Sequence, residues 1–129
     1  MNAYVIMPTH IHAILTATND DLSAIVRDFK KFTARNIYHQ AEQDGDRLAV
    51  WIFEQAAKTL PEVRFKVWQD EFHPEAIYSR EFLLQKADYI HANPVRKGLA
   101  GDPSHWYYSS FRTYEGAEDG PLEIDELEW

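Results

Sequence analysis

The chain has 129 residues, of which 45% are hydrophobic, and this length fits a single domain with its own core. It contains no cysteine, which excludes disulfides and thiolate metal sites and favours a reducing cytoplasm. No apolar run approaches the roughly 20 residues needed to cross a bilayer, and no secretory signal opens the sequence, so we expect no membrane partner.

The net charge of −8 is concentrated near the C-terminal end. Residues 115–129 carry seven acidic side chains and no Lys or Arg, whereas the preceding residues carry 13 basic and 14 acidic side chains. We therefore divide the chain into a domain over residues 1–114 and an acidic tail over residues 115–129. The nearly neutral domain neither supports nor excludes a nucleic-acid partner. The tail could mimic DNA or aid solubility, and we favour solubility.

Two strands are predicted at the start of the domain. The segment AYVIMP is β-branched and aromatic and ends at Pro8, and IHAILTA follows it. His10 and His12 are two residues apart, so a strand would point both side chains to one face. Asp20 or Asp21 is then expected to cap the next helix.

A helix is predicted from residue 22 to about residue 40, because apolar side chains recur there at helical spacing. Four cations cluster on its opposite side, with only Asp28 nearby. They either form a solvated basic face or contact phosphates, and the spacing leaves both interpretations open. These cations are Arg27, Lys30, Lys31 and Arg35.

The remaining elements are predicted from periodicity and prolines. LAVWIFEQAAKTL favours a second helix that stops at Pro61, although LAVWIF also fits a strand. VRFKVWQ alternates like a strand, with AIYS as its continuation. A third helix is predicted from residue 81 to about residue 93 and should end at Pro94. WYYSSFRTY fits a short strand or a turn that packs its aromatic rings on the core.

Two histidines on one strand face suit a divalent ion, and without cysteine the third ligand must be His, Asn, Gln, Asp or Glu. Tyr89 and Asn93 are four residues apart and share one face of the third helix. Packed over the strands, that helix could bring Asn93 to His10 and His12 and hold the Tyr89 hydroxyl over the ion. A tyrosine there could attack a phosphate and form a covalent link that conserves bond energy.

Other interpretations of these residues also fit the spacing. The histidines could be a surface pair, and Tyr89 could be a half-buried aromatic of an amphipathic helix. His91 points away from Tyr89 on the same helix, which favours a packing or solvent role. Tyr108 is the rival nucleophile, but it lacks a polar partner four residues further on. Arg96 and Lys97, after Pro94, could satisfy helix carbonyls or contact DNA.

Five ordered segments resemble the REP-associated tyrosine transposases of the HUH superfamily, over residues 3–114. The segments are YVIMPTHIHAIL, FKKFTARNIY, VWQDEFH, DYIHANPVRKGL and WYYSSF. The resemblance implies that His10 and His12 are metal ligands and that Tyr89 is the catalytic nucleophile. Asn93 falls where the family has a third polar ligand.

The same resemblance implies an α+β fold, in which helices pack on a ferredoxin-like or RNA-recognition-like antiparallel sheet. It implies Mg²⁺ or Mn²⁺ as the cofactor and single-stranded DNA, often beside a hairpin, as the partner of a cytoplasmic, nucleoid-associated enzyme. Such an enzyme cuts one strand, keeps the 5′ end on tyrosine and rejoins it elsewhere. The four cations of the first helix would then hold the DNA backbone.

The family usually has a strand and a long helix before the segment that begins here at Met1, so we expect an N-terminally truncated HUH domain. A misassigned start, a decaying gene and a homodimer whose partner chain supplies the missing cover are all consistent with this departure. Two alternative functions therefore stay open. One is an inactive remnant that binds DNA hairpins without cutting, and the other is a small structural metal protein.

Overall fold

The computed structural model describes residues 1–19, 21–117 and 120–125. Their contacts divide the chain into two compact units, Met1–Thr16 with Glu75–Trp129, and Ala17–Pro74. We call these the hairpin unit and the helical unit. A two-stranded antiparallel sheet with packed helices makes the described part of the chain α+β, as predicted. Its elements are β1 (Ala3–Ile6), β2 (Ile11–Ile14), α1 (Leu22–Gln43), α2 (Arg47–Ala57), α3 (Arg80–His91), α4 (Asn93–Arg96), a 3-10 helix (Pro103–His105) and α5 (Phe111–Tyr114).

The hairpin unit begins with the two predicted strands. β1 pairs with β2 so that Ala3 lies opposite Ile14 and Val5 lies opposite His12. The Met7 N–H donates to the His10 carbonyl at 2.8 Å and closes the turn between the strands. The strand predictions are confirmed, and the register puts His12 in the middle of the hairpin.

The segment after the 3-10 helix covers the other edge of β1. The Ile6 N–H donates to the Tyr108 carbonyl at 2.8 Å, and the Ser110 N–H donates to the Tyr4 carbonyl at 3.0 Å. An isolated bridge forms there between Val5 and Ser109, before α5 begins. WYYSSFRTY is therefore a bridged turn and a short helix.

α3 packs on β1 through one apolar face. Leu83, Ala87 and Ile90 recur at helical spacing and are all buried. They form one core with residues of the hairpin, and Trp106 covers its margin while its indole N–H donates to the Ile6 carbonyl at 3.0 Å. The hairpin contributes Ala3, Val5, Met7 and Ile14 to this core.

The third helix is confirmed, because α3 ends at His91, close to its predicted end near Asn93. Pro94 does not stop the helical path, however, since it lies in the first turn of α4, which continues to Arg96. Proline is tolerated there because the first-turn N–H groups of a helix have no intrahelical acceptor. The helical path ends instead at Gly98, whose φ of 71° places it in the left-handed region.

The helical unit contains α1 and α2, both capped by aspartate. Asp21 accepts the Ala24 N–H and Asp46 accepts the Ala49 N–H, each at 3.0 Å. The cap at Asp21 was predicted, whereas the alternative at Asp20 lies outside the described residues. LAVWIF is helical rather than a strand, because α2 covers it completely.

The strand predictions for VRFKVWQ and AIYS are wrong, since neither segment forms a strand. Their alternating apolar residues have other partners. Phe65 stacks on Tyr38 with ring centroids 4.0 Å apart, and the Trp68 indole N–H donates to Thr33 Oγ1 at 2.8 Å. The alternation therefore reflects a chain that runs over α1, where side chains rather than a backbone ladder make the contacts.

Part of the acidic tail contacts the start of β1. The Leu122 N–H donates to the Tyr4 hydroxyl at 3.2 Å, and the Asp125 N–H donates to the Met1 carbonyl at 2.8 Å. Its acidic residues 118, 119, 126 and 128 lie outside the described residues. The division at residue 114 stays a prediction. None of the helices in the described ranges is long and apolar enough to cross a bilayer.

Candidate metal and tyrosine site

The two histidines contact each other at the start of β2. Their ring centroids are 4.9 Å apart and the ring planes are nearly perpendicular, at 87°. Thr9 Oγ1 lies 3.0 Å from His10 Nδ1, which leaves the other ring nitrogen of His10 for a ligand. The hairpin register thus holds both half-buried imidazoles on the same side of the strand.

Tyr89 of α3 joins this pair. Its ring centroid lies 6.2 Å from that of His12, at an interplanar angle of 80°. The residue is 45% exposed, although its neighbours Ala87 and Ile90 are buried in the core. A tyrosine anchored by its helix and open to solvent at its ring can meet a large substrate such as a nucleic acid.

The surroundings of His12 favour its neutral imidazole. Burial lowers the pKa of His12, and the nearby His10 lowers it further. A neutral imidazole has a lone pair for a metal ion, whereas an imidazolium has none. The environment of His12 therefore suits metal ligation at neutral pH.

Asn93 is buried at the beginning of α4, with 4% exposure. Its Nδ2 has no hydrogen-bond partner, and an unsatisfied buried amide is uncommon. The two amide atoms are interchangeable by a flip of the side chain, so an oxygen ligand can occupy that position. Among the described residues no three His, Cys, Asp or Glu side chains form a metal-binding group. An ion at the histidine pair would thus need further ligands such as water, and the role of Asn93 as a third ligand stays a prediction.

Arg96 is a residue of this site whose role the sequence left open. Its guanidinium carbon lies 4.6 Å from the centroid of the Tyr89 ring, over the ring. The two residues are seven apart, which is about two helical turns. That spacing indicates a contact only if the helical path continues past Pro94, as it does here.

The other histidine of α3 belongs to the core. His91 is buried, and its Nε2 lies 2.8 Å from Ser110 Oγ, between the rings of Phe111 and Tyr114. Burial lowers the pKa of His91 to about 4, while Asp88 opposes this shift. Of the packing and solvent roles predicted for His91, the packing role is confirmed.

Tyr108, the rival nucleophile, has different neighbours. It is exposed, and its ring contacts within the described part of the chain are with Trp106 and Tyr107. Neither histidine contacts it, so the geometry favours Tyr89 over Tyr108 as the residue that acts with the histidines.

The predicted DNA-binding cations lie on α1 in the helical unit, whereas the histidines belong to the hairpin unit. Arg27 pairs with its neighbour Asp28 at 3.1 Å, and Lys30 Nζ donates to the Gln69 carbonyl at 2.9 Å. Lys31 and Arg35 lie on the same helix, and Lys31 is exposed. Their contact with phosphates stays a prediction.

The chain is similar to the REP-associated tyrosine transposase of Escherichia coli strain K12. The two are 29% identical over 114 residues, which cover 86% of this chain and 53% of the relative. The chain thus spans about half the length of the curated relative that it matches. No family model matches the chain, and no solved structure matches it. The similarity supports a relation to the REP-associated tyrosine transposases.

Proposed function

We propose that this protein cuts and rejoins single-stranded DNA through a 5′-phosphotyrosine intermediate, in the manner of a tyrosine transposase. The observation that carries the proposal is the contact between Tyr89 and His12, whose ring centroids are 6.2 Å apart, beside His10. These side chains, which suit this chemistry, come together from two separate parts of the chain, the start of β2 and α3. The similarity to a REP-associated tyrosine transposase supports the same function.

Tyr89 is the nucleophile of the proposed reaction. Its hydroxyl oxygen attacks the scissile phosphorus, a bond forms between that oxygen and phosphorus, and the bond from phosphorus to the 3′ oxygen breaks. The phenol proton passes to solvent, and the departing 3′ oxygen takes a proton from solvent. Rejoining is the reverse attack by a 3′ hydroxyl, so the reaction needs no nucleotide cofactor.

His10 and His12 would hold a divalent ion, Mg²⁺ or Mn²⁺, and Asn93 is the candidate third ligand. The neutral state of His12 and the unpartnered buried amide of Asn93 fit this role. When bound, such an ion polarises the phosphate and stabilises the leaving oxygen. Two imidazoles and an amide are nitrogen and oxygen donors, which Mn²⁺ accepts more readily than Mg²⁺.

The basic face of α1 would hold the DNA backbone electrostatically. Lys31 is exposed on it and Arg35 lies one turn further on, while Arg27 and Lys30 can exchange their weak exposed contacts for phosphate. This contribution falls with added salt, because counterions compete for the same phosphates.

A covalent-adduct assay tests the proposal. Single-stranded hairpin DNA with an internal label is incubated with Mn²⁺ and the protein, and denaturing gels show any protein–DNA link. We expect an adduct with the wild type and none with Tyr89→Phe, which keeps the ring and removes the nucleophile. Tyr108→Phe is the matched control and should retain the adduct.

Two other outcomes would overturn the proposal. Salt-dependent DNA binding without an adduct would favour an inactive hairpin-binding module. An adduct that survives in Tyr89→Phe and disappears in Tyr108→Phe would identify Tyr108 as the nucleophile.

In the His10→Ala and His12→Ala variants the adduct should disappear while DNA binding persists.

A further inference from the structure

The guanidinium of Arg96 stacks on the ring of Tyr89, its partner among residues 1–19, 21–117 and 120–125. The guanidinium carbon lies 4.6 Å from the ring centroid. No carboxylate in the same ranges forms an ion pair with it. Arg96 is exposed, and it stacks on a ring that takes up none of its N–H donors.

The turn that carries Arg96 is fixed by its backbone. The Arg96 N–H donates to the Ala92 carbonyl at 3.0 Å, and the Leu99 N–H donates to the Pro94 carbonyl at 2.8 Å. The Gly98 N–H donates to a carbonyl of the same turn at 2.9 Å, and its positive φ allows the chain to leave the helix there. Pro94 is also buried, so the turn that carries Arg96 packs against the rest of the unit.

Because the guanidinium stacks over the face of the ring, the Tyr89 hydroxyl and the N–H donors of Arg96 both remain available to a ligand. The phenol hydroxyl lies on the ring edge, away from the face that the guanidinium covers. His12 approaches the same ring at 80°, so the tyrosine has an imidazole and a guanidinium as neighbours. A phosphate that reaches the hydroxyl therefore meets a cation with several donors.

We propose that Arg96 binds the phosphodiester that Tyr89 attacks, and that its stacking on Tyr89 sets the position of that phosphate. The inference rests on the proposed function and adds a phosphate-binding residue to it. A planar guanidinium can donate two hydrogen bonds to the non-bridging oxygens of one phosphate. It serves equally after the attack, when the phosphoryl group is attached to the tyrosine oxygen.

Arg96 takes no part in proton transfer. The Oη–phosphorus bond forms, the bond from phosphorus to the 3′ oxygen breaks, and both protons are exchanged with solvent. Arg96 stabilises the negative charge on the equatorial oxygens. Its loss should therefore lower the rate of adduct formation more than it lowers DNA affinity.

The first experiment compares rates of adduct formation at saturating Mn²⁺ and DNA. We expect Arg96→Gln to slow the step by about 10²-fold, the usual effect of removing one donor from such a site. Arg96→Lys should recover part of the rate, since an ammonium keeps the charge but not the paired donors. Lys97→Gln removes the adjacent exposed cation and should stay near the wild-type rate. Equal rates for wild type and Arg96→Gln, or an equal loss in Lys97→Gln, would overturn the inference.

The second experiment needs neither metal nor DNA. Inorganic phosphate is titrated into the protein while NMR follows the Arg96 Nε–H signal. The signal should move in the wild type and in Tyr89→Phe, which keeps the ring, and should move much less in Tyr89→Leu. No movement in the wild type, or the same movement in Tyr89→Leu, would contradict the inference. A protein that gives the expected phosphate response but no adduct would overturn the proposed function and would still support phosphate binding by Arg96.

Discussion

The two compact units bury their apolar side chains to different degrees. The hairpin unit has a continuous core in which α3 covers the two strands. The described residues of the helical unit bury only Tyr38, Ala41 and Ala57, although α1 and α2 have many large apolar side chains. Several of these are about half exposed or more, namely Ile25, Phe29, Phe32, Leu48, Trp51 and Ile52.

The helical unit is instead stabilised by polar and aromatic contacts. Tyr38 donates to Glu54 Oε1 at 2.6 Å and stacks on Phe65. The hydrogen bond to Glu54, together with burial, raises the pKa of Tyr38 to about 12. Helical periodicity therefore identifies the helices in both units, but it does not tell how much of an apolar face is covered. The rigid core lies under the tyrosine and histidines, where a site needs fixed positions.

The largest expected difference between the units comes from matched leucine truncations. Leu83→Ala removes a side chain that is 6% exposed in the hairpin unit, and Leu48→Ala removes one that is 67% exposed in the helical unit. Leu83→Ala should cost about 2–5 kcal/mol of unfolding free energy, and Leu48→Ala should cost under about 1 kcal/mol. Urea unfolding followed by circular dichroism measures both. Similar losses for the two variants would show that the helical unit has a core as tight as that of the hairpin unit.

The buried His91 should make the hairpin unit sensitive to acid. Its pKa is about 4 when folded and about 6.5 when unfolded, so the unfolded state binds more protons between these values. Its contribution to stability is complete above about pH 6.5 and is lost as the pH falls towards about 4, by at most about 3 kcal/mol. Unfolding measured at several pH values in chelator should show a shallower dependence in His91→Gln than in the wild type. His73→Gln, an exposed control, should keep the wild-type dependence, and an unchanged slope in His91→Gln would contradict the account.

Alanine substitution of one glycine in each unit should lower the stability of the protein by equal amounts, because both effects are local to a turn. Gly98 in the hairpin unit and Gly45 in the helical unit have φ values of 71° and 70°, and both have open space in the direction that a Cβ would take. Alanine at either position is strained in the left-handed region and should cost about 1 kcal/mol. Thermal unfolding of the two variants tests this. A much larger loss at one position would mean that its turn carries contacts beyond the local backbone.

The smallest expected effect concerns which of the two units binds the DNA backbone. The double variant Lys31→Ala/Arg35→Ala should lower the slope of log affinity against log salt by about 0.7 for each phosphate that the protein no longer binds. Tyr89→Phe should leave that slope unchanged, because it removes a nucleophile and no charge. Fluorescence anisotropy with labelled single-stranded DNA at several salt concentrations measures both slopes. A wild-type slope in the double variant would show that these α1 cations do not bind DNA phosphates.

Local patterns in the sequence were sufficient for much of the fold. The hairpin follows from β-branched strands around Pro8, and the three long helices follow from apolar spacing with aspartate or serine caps. The error at VRFKVWQ arose because a chain that crosses a helix can also alternate apolar and polar residues. Only the tertiary contacts of Phe65 and Trp68 distinguish the two cases.

Local sequence spacing also predicted part of the candidate site. His10 and His12 are close in sequence, so a strand brings them together, and the contact of Tyr89 with His12 agrees with the predicted packing of its helix over the strands. The contact of Arg96 depends on a helical turn that continues through Pro94, which the local proline rule argued against. The metal and DNA roles of these residues depend on ligands and stay predictions.

The central claim is that His10, His12 and Tyr89 surround one divalent ion. Substoichiometric Mn²⁺, which broadens the NMR signals of nearby protons, tests it directly in the absence of DNA. We expect the ring signals of all three residues to broaden together in the wild type, and the Tyr89 ring to stay sharp in His12→Ala. Broadening of the histidines without Tyr89, or broadening confined to acidic residues of the tail, would contradict the account.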